Sequence, residues 1–123
     1  MSNNVNIVNV GVGALPASTT RALFKAPSAA NGGGIRILEA EAVMSALGTA
    51  GLTLIDMGPG GTANVGTVAT RGSVAFGAGT PQAFTVTRGS DFIAADRYLG
   101  IVSDASGNCA LVTTITIKYL MGR

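Results

Sequence analysis

The glycine-rich stretch DMGPGGTANVG, from Asp56 to Gly66, is the first part of the sequence whose spacing could do chemistry. It directly follows the apolar run GLTLI, as phosphate-binding loops follow strands. A P-loop ends in Gly-Lys-Ser/Thr, but counting from Gly61 leads to Gly66 followed by Thr-Val, so the lysine is absent. A dinucleotide fingerprint fails at Ala63, and the NVGTVAT segment that follows is β-branched and does not open a helix. The stretch is therefore predicted to be a turn between strands.

The remaining ionisable groups offer little catalytic chemistry. The chain has no histidine, which removes the most common general base, and one cysteine, which removes a multi-thiolate zinc site. Glu39 and Glu41 would project from one face of a strand, and we interpret them as a solvated edge or as partners of Arg36. Asp91 and Asp96 could hold calcium with loop carbonyls, but the EF-hand spacing is absent and turn capping is the favoured interpretation. The other acidic residues are Asp56 and Asp104.

Nucleophiles and aromatic side chains give no stronger signal. Ser90 and the other hydroxyls lack a base, and no Gly-x-Ser-x-Gly elbow occurs. Tryptophan is absent, and Tyr98 and Tyr119 lie within strand patterns, which indicates core or interface positions. Cys109 lies in a predicted strand and is expected to be an inert, buried thiol. We therefore predict no catalytic, cofactor or metal site and no enzymatic activity.

Composition points to a protein that packs against other proteins. Charged residues make up 11% of the 123 residues, against about 25% in typical domains. The eight basic residues are scattered singly, so nucleic-acid binding is not expected. The longest strongly apolar stretch, from Ala42 to Ile55, is shorter than the roughly 20 residues that a membrane-spanning helix needs. No signal peptide is recognised at the N-terminus. We expect a protein made in a cytoplasm, with no membrane partner.

Alternation of apolar and polar residues dominates the chain and predicts seven to nine short strands in an all-β sandwich or barrel. We expect one sandwich domain over residues 21–123, preceded by an arm or first strand over residues 1–20. Short strands are predicted at residues 64–72 and 73–79, separated at Arg71-Gly72, and an alternating segment at residues 80–89. Clearer strands are RYLGIVS and the tail ALVTTITIKYLMGR.

The segment from Ile35 to Gly51 fits either a helix or a long strand. Its Ala, Glu, Leu and Met residues favour a helix, with Gly48 at the C-terminal position. No capping residue precedes it, however, and we favour a strand. One face of that strand would carry Leu38, Ala40, Ala42, Met44 and Ala46, and the other Ile35, Ile37, Glu39, Glu41, Val43 and Ser45.

The layout from Ile35 to Arg123 resembles small β-sandwich virion proteins of tailed bacteriophages, of the head-decoration or minor structural kind. The most similar part is Gly89 to Val102, where a glycine turn and the phrase FIAADRYLGIV lead through SDASGN to a final strand that ends in Tyr-x-x-Gly-Arg. The resemblance implies a jelly-roll-like antiparallel sandwich, no cofactor, and assembly in the infected cell into the virion. It also implies self-association, often as a homotrimer, and the major capsid protein as the partner.

Contact residues can be suggested only from exposure and loop position. The uncharged N-terminal segment could add a strand to the sheet of a neighbour, or could be the first strand of its own sheet. The loop from Asp56 is expected to contact another subunit. An alternative function is a tail, fibre or adhesin module that binds a host glycan through this loop and Gly89–Asp96. The suggested interface residues are Val5, Ile7, Val10, Pro59, Thr62, Asn64, Phe92 and Tyr98.

Overall fold

A computed structural model describes residues 5–121 of the chain, apart from the side chains of residues 31 and 73–76. The ends of the predicted arm and of the final strand, residues 1–4 and 122–123, lie outside this range. The described residues contain two 3-10 helices, Ala29–Asn31 and Gly107–Leu111. Their ten strands are β1 Val5–Gly11, β2 Thr20–Lys25, β3 Ile35–Met44, β4 Gly48–Asp56, β5 Gly66–Phe76, β6 Gln82–Ala83, β7 Thr85–Val86, β8 Phe92–Ile93, β9 Tyr98–Ser103 and β10 Val112–Met121.

The strands form two antiparallel sheets that share one hydrophobic core, which confirms the predicted all-β sandwich. Sheet A has the order β1-β10-β3-β6, with β8 also paired to β3, and sheet B has the order β2-β9-β4-β5-β7. Side chains from both sheets meet in the core, for example Ile37 and Ile117 from sheet A with Leu54 and Ile101 from sheet B. This arrangement follows from strand alternation, because each sheet must bury its apolar face against the other.

The ambiguous segment from Ile35 is a strand and not a helix, and β3 pairs with β10 from Ile35 to Met44. The predicted single long strand to Gly51 is wrong, because the chain turns at residues 45–47 and β4 begins at Gly48 in the other sheet. The predicted alternation of the faces of β3 is wrong in the first part. Ile35 and Ile37, at odd-numbered positions, are buried, and so are Ala40 and Met44, at even-numbered positions. In a regular strand, odd and even positions would face opposite sides of the sheet. The reason is a bulge, since Lys118 and Tyr119 of β10 pair with Glu39 and Ile37 and skip Leu38. The extra residue reverses the face that points to the core.

The side chain of Arg88 is hydrogen-bonded to the backbone of β3 at this bulge. Its guanidinium donates hydrogen bonds to the carbonyl oxygens of Ile37 at 3.1 Å and Leu38 at 2.9 Å. The same group donates to the carboxylate of Asp91 at 3.0 Å, and Asp91 is buried. On the side of β3 away from β10, β8 pairs only with Ile35 and Arg36 and β6 only with Glu41 and Ala42, so these charged hydrogen bonds supply partners for the backbone between them.

The region from residue 64 to residue 89 differs from the prediction in two ways. β5 is a single strand from Gly66 to Phe76, and the expected break at Arg71-Gly72 is a register shift within it. Glycine in a strand often marks such an irregularity. The alternating segment at residues 80–89 is also divided, because β6 pairs with β3 in sheet A and β7 with β5 in sheet B. Phe84 lies between them and is buried, so the chain crosses from one sheet to the other there.

Candidate functional site

The loop from Met57 to Val65 connects β4 to β5 and is held by hydrogen bonds on both sides. At its start, the amide of Met57 donates to the carbonyl of Tyr98 at 2.8 Å, and the amide of Tyr98 donates to the carbonyl of Gly58 at 3.1 Å. At its end, the amide of Val65 donates to the carbonyl of Asp56 at 2.8 Å. The loop is therefore closed at its base and tied to β9.

An ion pair strengthens the base of this loop. Arg97 donates from Nε to both carboxylate oxygens of Asp56, at 3.1 and 3.2 Å, and both side chains are less than one-third exposed. The same carboxylate accepts the amide of Gly58 at 2.8 Å, which is an Asx-turn. Gly58 has a φ of 72°, a conformation that favours glycine. One carboxylate thus fixes both the arginine and the first turn of the loop.

Two residues of the loop, Gly61 and Met57, pack closely against residues of β9. Gly61, with a φ of 70°, lies against the ring of Tyr98, where a Cβ atom would be 3.0 Å from Cδ1. Met57 is buried and covers Gly100 so closely that a Cβ atom there would overlap its sulfur. Both glycines are needed because the neighbouring side chain occupies the space of a Cβ atom.

The outer side of the loop presents small, uncharged side chains. Pro59, Thr62, Asn64 and Val65 are exposed, and we call these four residues the loop surface. The loop connects two strands, as predicted. Its amides at Gly58, Gly61, Ala63 and Val65 all donate to acceptors within the protein, so they are not directed at a phosphate.

The N-terminal segment is the first strand of its own sheet. β1 pairs with β10 from Val5 opposite Leu120 to Gly11 opposite Thr114. Val5 and Ile7 point outward and are 52% and 59% exposed, whereas Val10 is partly buried against the core. Of the two predicted alternatives, a strand added to a neighbour's sheet or the first strand of its own sheet, the structure has the second. Among the described residues, no strand pairs with the outer edge of β1.

The suggested interface residues thus fall into separate places. Pro59, Thr62 and Asn64 lie together on the loop surface, with the half-buried ring of Tyr98 beneath Gly61. Phe92 belongs to β8, which pairs with the start of β3, and its half-buried ring lies against Gly34. Val5 and Ile7 form another surface on the outer face of sheet A, whereas Val10 faces the core.

Three of the acidic residues outside the loop, Glu39, Asp91 and Asp96, each lie beside a cationic side chain. Glu39 lies opposite Lys118 across the strand pair, with 3.7 Å between carboxylate and ammonium, so its partner is not the expected Arg36. Asp96 lies 3.9 Å from Lys25. Asp91, expected to cap a turn, pairs with Arg88 instead. Within residues 5–121, no three His, Cys, Asp or Glu side chains are placed to share a metal ion.

Cys109 is buried, as predicted, but it lies in a 3-10 helix and not in a strand. Its sulfur lies 3.3 Å from the carboxylate of Asp104 and donates to it. Burial, followed by this hydrogen bond and the charge of Asp104, raises the pKa of the Cys109 thiol to about 11. The neutral thiol is therefore the stable form, and it is a poor nucleophile near neutral pH. Asp104 also accepts the amides of Gly51 and Ser106, which makes it the aspartate that shapes this turn.

The residues that hold the loop were not predicted from the sequence. Asp56 was recognised only as one of six acids, and Arg97 only as one of the scattered cations. The Asp-x-Gly spacing of Asp56 and Gly58 is typical of an Asx-turn and could have indicated half of this arrangement. Nothing local indicates Arg97, because 41 positions separate it from Asp56.

No protein-family model, curated protein or solved structure matches the chain. In the described part of the chain, no helix has the length and apolar character to cross a membrane.

Proposed function

We propose that the protein is a non-enzymatic structural component of a phage virion that decorates the head shell and stabilises it by contacts between protein subunits. The observation that carries this proposal is the loop surface, which is exposed and uncharged and stands on a base fixed by Asp56 and Arg97. Proteins commonly place binding residues on loops that a rigid scaffold positions.

Preorganisation is the physical reason to favour binding at this loop. A loop that is ordered before association loses less conformational freedom when a partner arrives, so more of the contact energy contributes to affinity. The amides of Gly58, Gly61, Ala63 and Val65 are already bonded, and Tyr98 supports the middle of the loop. Small side chains such as Thr62 and Asn64 can approach a second protein surface without desolvating a charge.

Connectivity supports the finer part of the proposal, a jelly roll of the kind found in viral capsid proteins. Successive long strands alternate between the sheets: β1 and β3 belong to sheet A, whereas β2 and β4 belong to sheet B. After β5, the chain returns through β6 to sheet A, and the last two strands, β9 and β10, again belong to different sheets. Each sheet thus pairs an early strand with a late one, as folding a long hairpin onto itself would produce.

Shell binding tests the proposal through variants that each replace one exposed apolar residue with lysine. Val65→Lys places a charge on the loop surface, and Leu47→Lys places the same charge on the β3–β4 turn, where Leu47 is 73% exposed. Empty head shells of the phage that encodes the chain are mixed with each protein, and co-sedimentation measures bound protein. We expect Val65→Lys to weaken binding by about tenfold or more, because the charge must be desolvated at the contact, and Leu47→Lys to bind normally.

Two results would contradict the proposal. Wild-type protein that does not sediment with shells would exclude decoration of the head. Equal binding by the wild type and Val65→Lys would remove the loop from the contact. The glycan-binding alternative predicts the opposite pattern, with no shell binding and reproducible signals on a glycan array.

A further inference from the structure

One edge strand of the sandwich, β1, differs from the other edge strands of the two sheets. Natural sheets protect their edge strands by making them short, irregular or charged, because an open edge can pair with another chain. β6, β7 and β8 are two residues each, which leaves little backbone to pair. β2 is longer, but it carries Arg21 and Lys25, and its register shifts between Ala22 and Phe24. All these edges follow the protective pattern.

β1 lacks each of these protective features. This edge strand has seven residues, none of them charged, and its pairing with β10 runs without a register shift. It exposes two large apolar side chains, Val5 and Ile7, on the outer face of sheet A. Leu120 of β10 lies opposite Val5 and is half-buried, so it extends the same apolar surface.

The direction of the backbone groups on this edge follows from one hydrogen bond. The amide of Val12 donates to the carbonyl of Thr113 at 2.9 Å, so Val12 faces β10. Residues in an antiparallel pair alternate between facing toward and away from the partner strand. The amides and carbonyls of Val5, Ile7 and Asn9 therefore point away from β10, toward the open edge.

We propose that the open edge of β1 pairs with β1 of a second copy of this chain, antiparallel about a two-fold axis at Ile7. Identical uncharged strands meet without like-charge repulsion. The outward-facing residues remain on one face, so Ile7 of each copy lies beside Ile7 of the other and Val5 lies opposite Asn9. The pairing would join two five-stranded sheets into one. It closes at two copies because each copy uses its β1 edge once.

This inference is independent of shell binding, because it rests on the sheet edges and not on the loop surface. It predicts a dimer of about twice the 12.2 kDa chain, where the resemblance to phage proteins implies a trimer. Sedimentation equilibrium measures the mass of the wild type, Ile7→Lys and Leu47→Lys. Lysines at position 7 of both copies would repel each other at the axis, so the dimer dissociation constant of Ile7→Lys should rise by about tenfold or more. Leu47→Lys, an equal change in charge, should remain as dimeric as the wild type.

Disulfide formation tests the register. In a Cys109→Ala background, Ile7→Cys should oxidise to a covalent dimer, because paired residues in adjacent strands are about 5.5 Å apart at Cα, within disulfide range. Asn9→Cys should not, since two Asn9 residues would be separated by four positions, or about 14 Å, along the strands. A monomeric wild type, a trimer unaffected by Ile7→Lys, or equal cross-linking of the two cysteine variants would each overturn the inference. Circular dichroism confirms that each variant is folded.

Discussion

Gly100→Ala is predicted to destabilise the protein by displacing Met57. Gly100 lies in β9, and a Cβ atom there would overlap the sulfur of Met57, approach its Cγ to 2.6 Å and approach the carbonyl oxygen of Arg21 to 3.0 Å. The backbone oxygen has little freedom to move, so the methionine side chain must leave. Met57 is only 4% exposed, and exposing a buried methionine costs about 1.5–3 kcal/mol. Alanine restricts the unfolded chain and returns about 0.4–1 kcal/mol, so the net loss should be about 2 kcal/mol.

Urea unfolding measures this loss. For a slope of about 1–2 kcal/mol per molar urea, the midpoint of Gly100→Ala should fall by roughly 1–2 M. Gly66→Ala is the matched control, because a Cβ atom at Gly66 would meet no atom within 4 Å. Its midpoint should be close to that of the wild type, since both substitutions add one methyl group within a strand.

A double-mutant cycle with Met57→Ala tests the cause. If the methionine is what obstructs the new methyl group, Gly100→Ala should cost much less once that side chain is removed, with a coupling of about 1–2 kcal/mol. Equal costs in both backgrounds would refute the reasoning and place the strain elsewhere, for example at the Arg21 carbonyl. Met57 also begins the loop, so Gly100→Ala should weaken shell binding if the loop surface is the contact.

Two further predictions concern charged and titrating groups. Arg88→Gln should lower the free energy of unfolding by about 1–2 kcal/mol, because it leaves the buried carboxylate of Asp91 without its cation; Arg36→Gln, on the exposed side of β3, should change it little in the same urea assay. The raised pKa of Cys109 favours the folded, protonated form, so stability from this group is present below pH 9 and is lost as pH rises toward 11. Urea titrations across that range should show a decrease of up to about 3 kcal/mol that Cys109→Ala lacks.

Strands with regular local patterns could be predicted from the sequence, and irregular ones could not. β9 and β10 carry strand-forming residues between clear turns, and both were recognised. The face of β3 could not be predicted, because the bulge at Leu38 lies in its pairing with β10 and is bound by Arg88, and both are distant from Leu38 in the sequence. The crossing at Phe84 was missed for a similar reason, since simple alternation does not reveal that neighbouring residues pair with different sheets.

The candidate site shows the same division. Its glycines and proline predict a turn, and the missing lysine argues against a phosphate loop. What fixes the loop, however, comes from β9 and the residue before it, namely Tyr98, Gly100 and Arg97. Contacts between distant segments depend on the register of β4 against β9, which only the folded chain defines.

The two proposed contacts together predict how the protein would bind shells. Val5 lies opposite Leu120, which pairs with Arg36 at the start of β3. The short turn between β3 and β4 places the end of β4, and thus the loop surface, at that same end of the sandwich. Because antiparallel pairing of β1 reverses one copy, the two loop surfaces of a dimer would point to opposite ends.

A dimer with two opposed loop surfaces can contact one shell with each of them. At high protein concentration, the wild type should therefore bridge shells into clusters, which electron microscopy or light scattering would detect. Ile7→Lys should coat shells without clustering them, whereas Val65→Lys should neither coat nor cluster them. Clustering by Ile7→Lys would show that the bridging does not depend on the β1 edge. A dimeric wild type that saturates the shells without forming any clusters would contradict this combination of interfaces. In that case either the second loop surface is covered or the loop is not the contact with the shell.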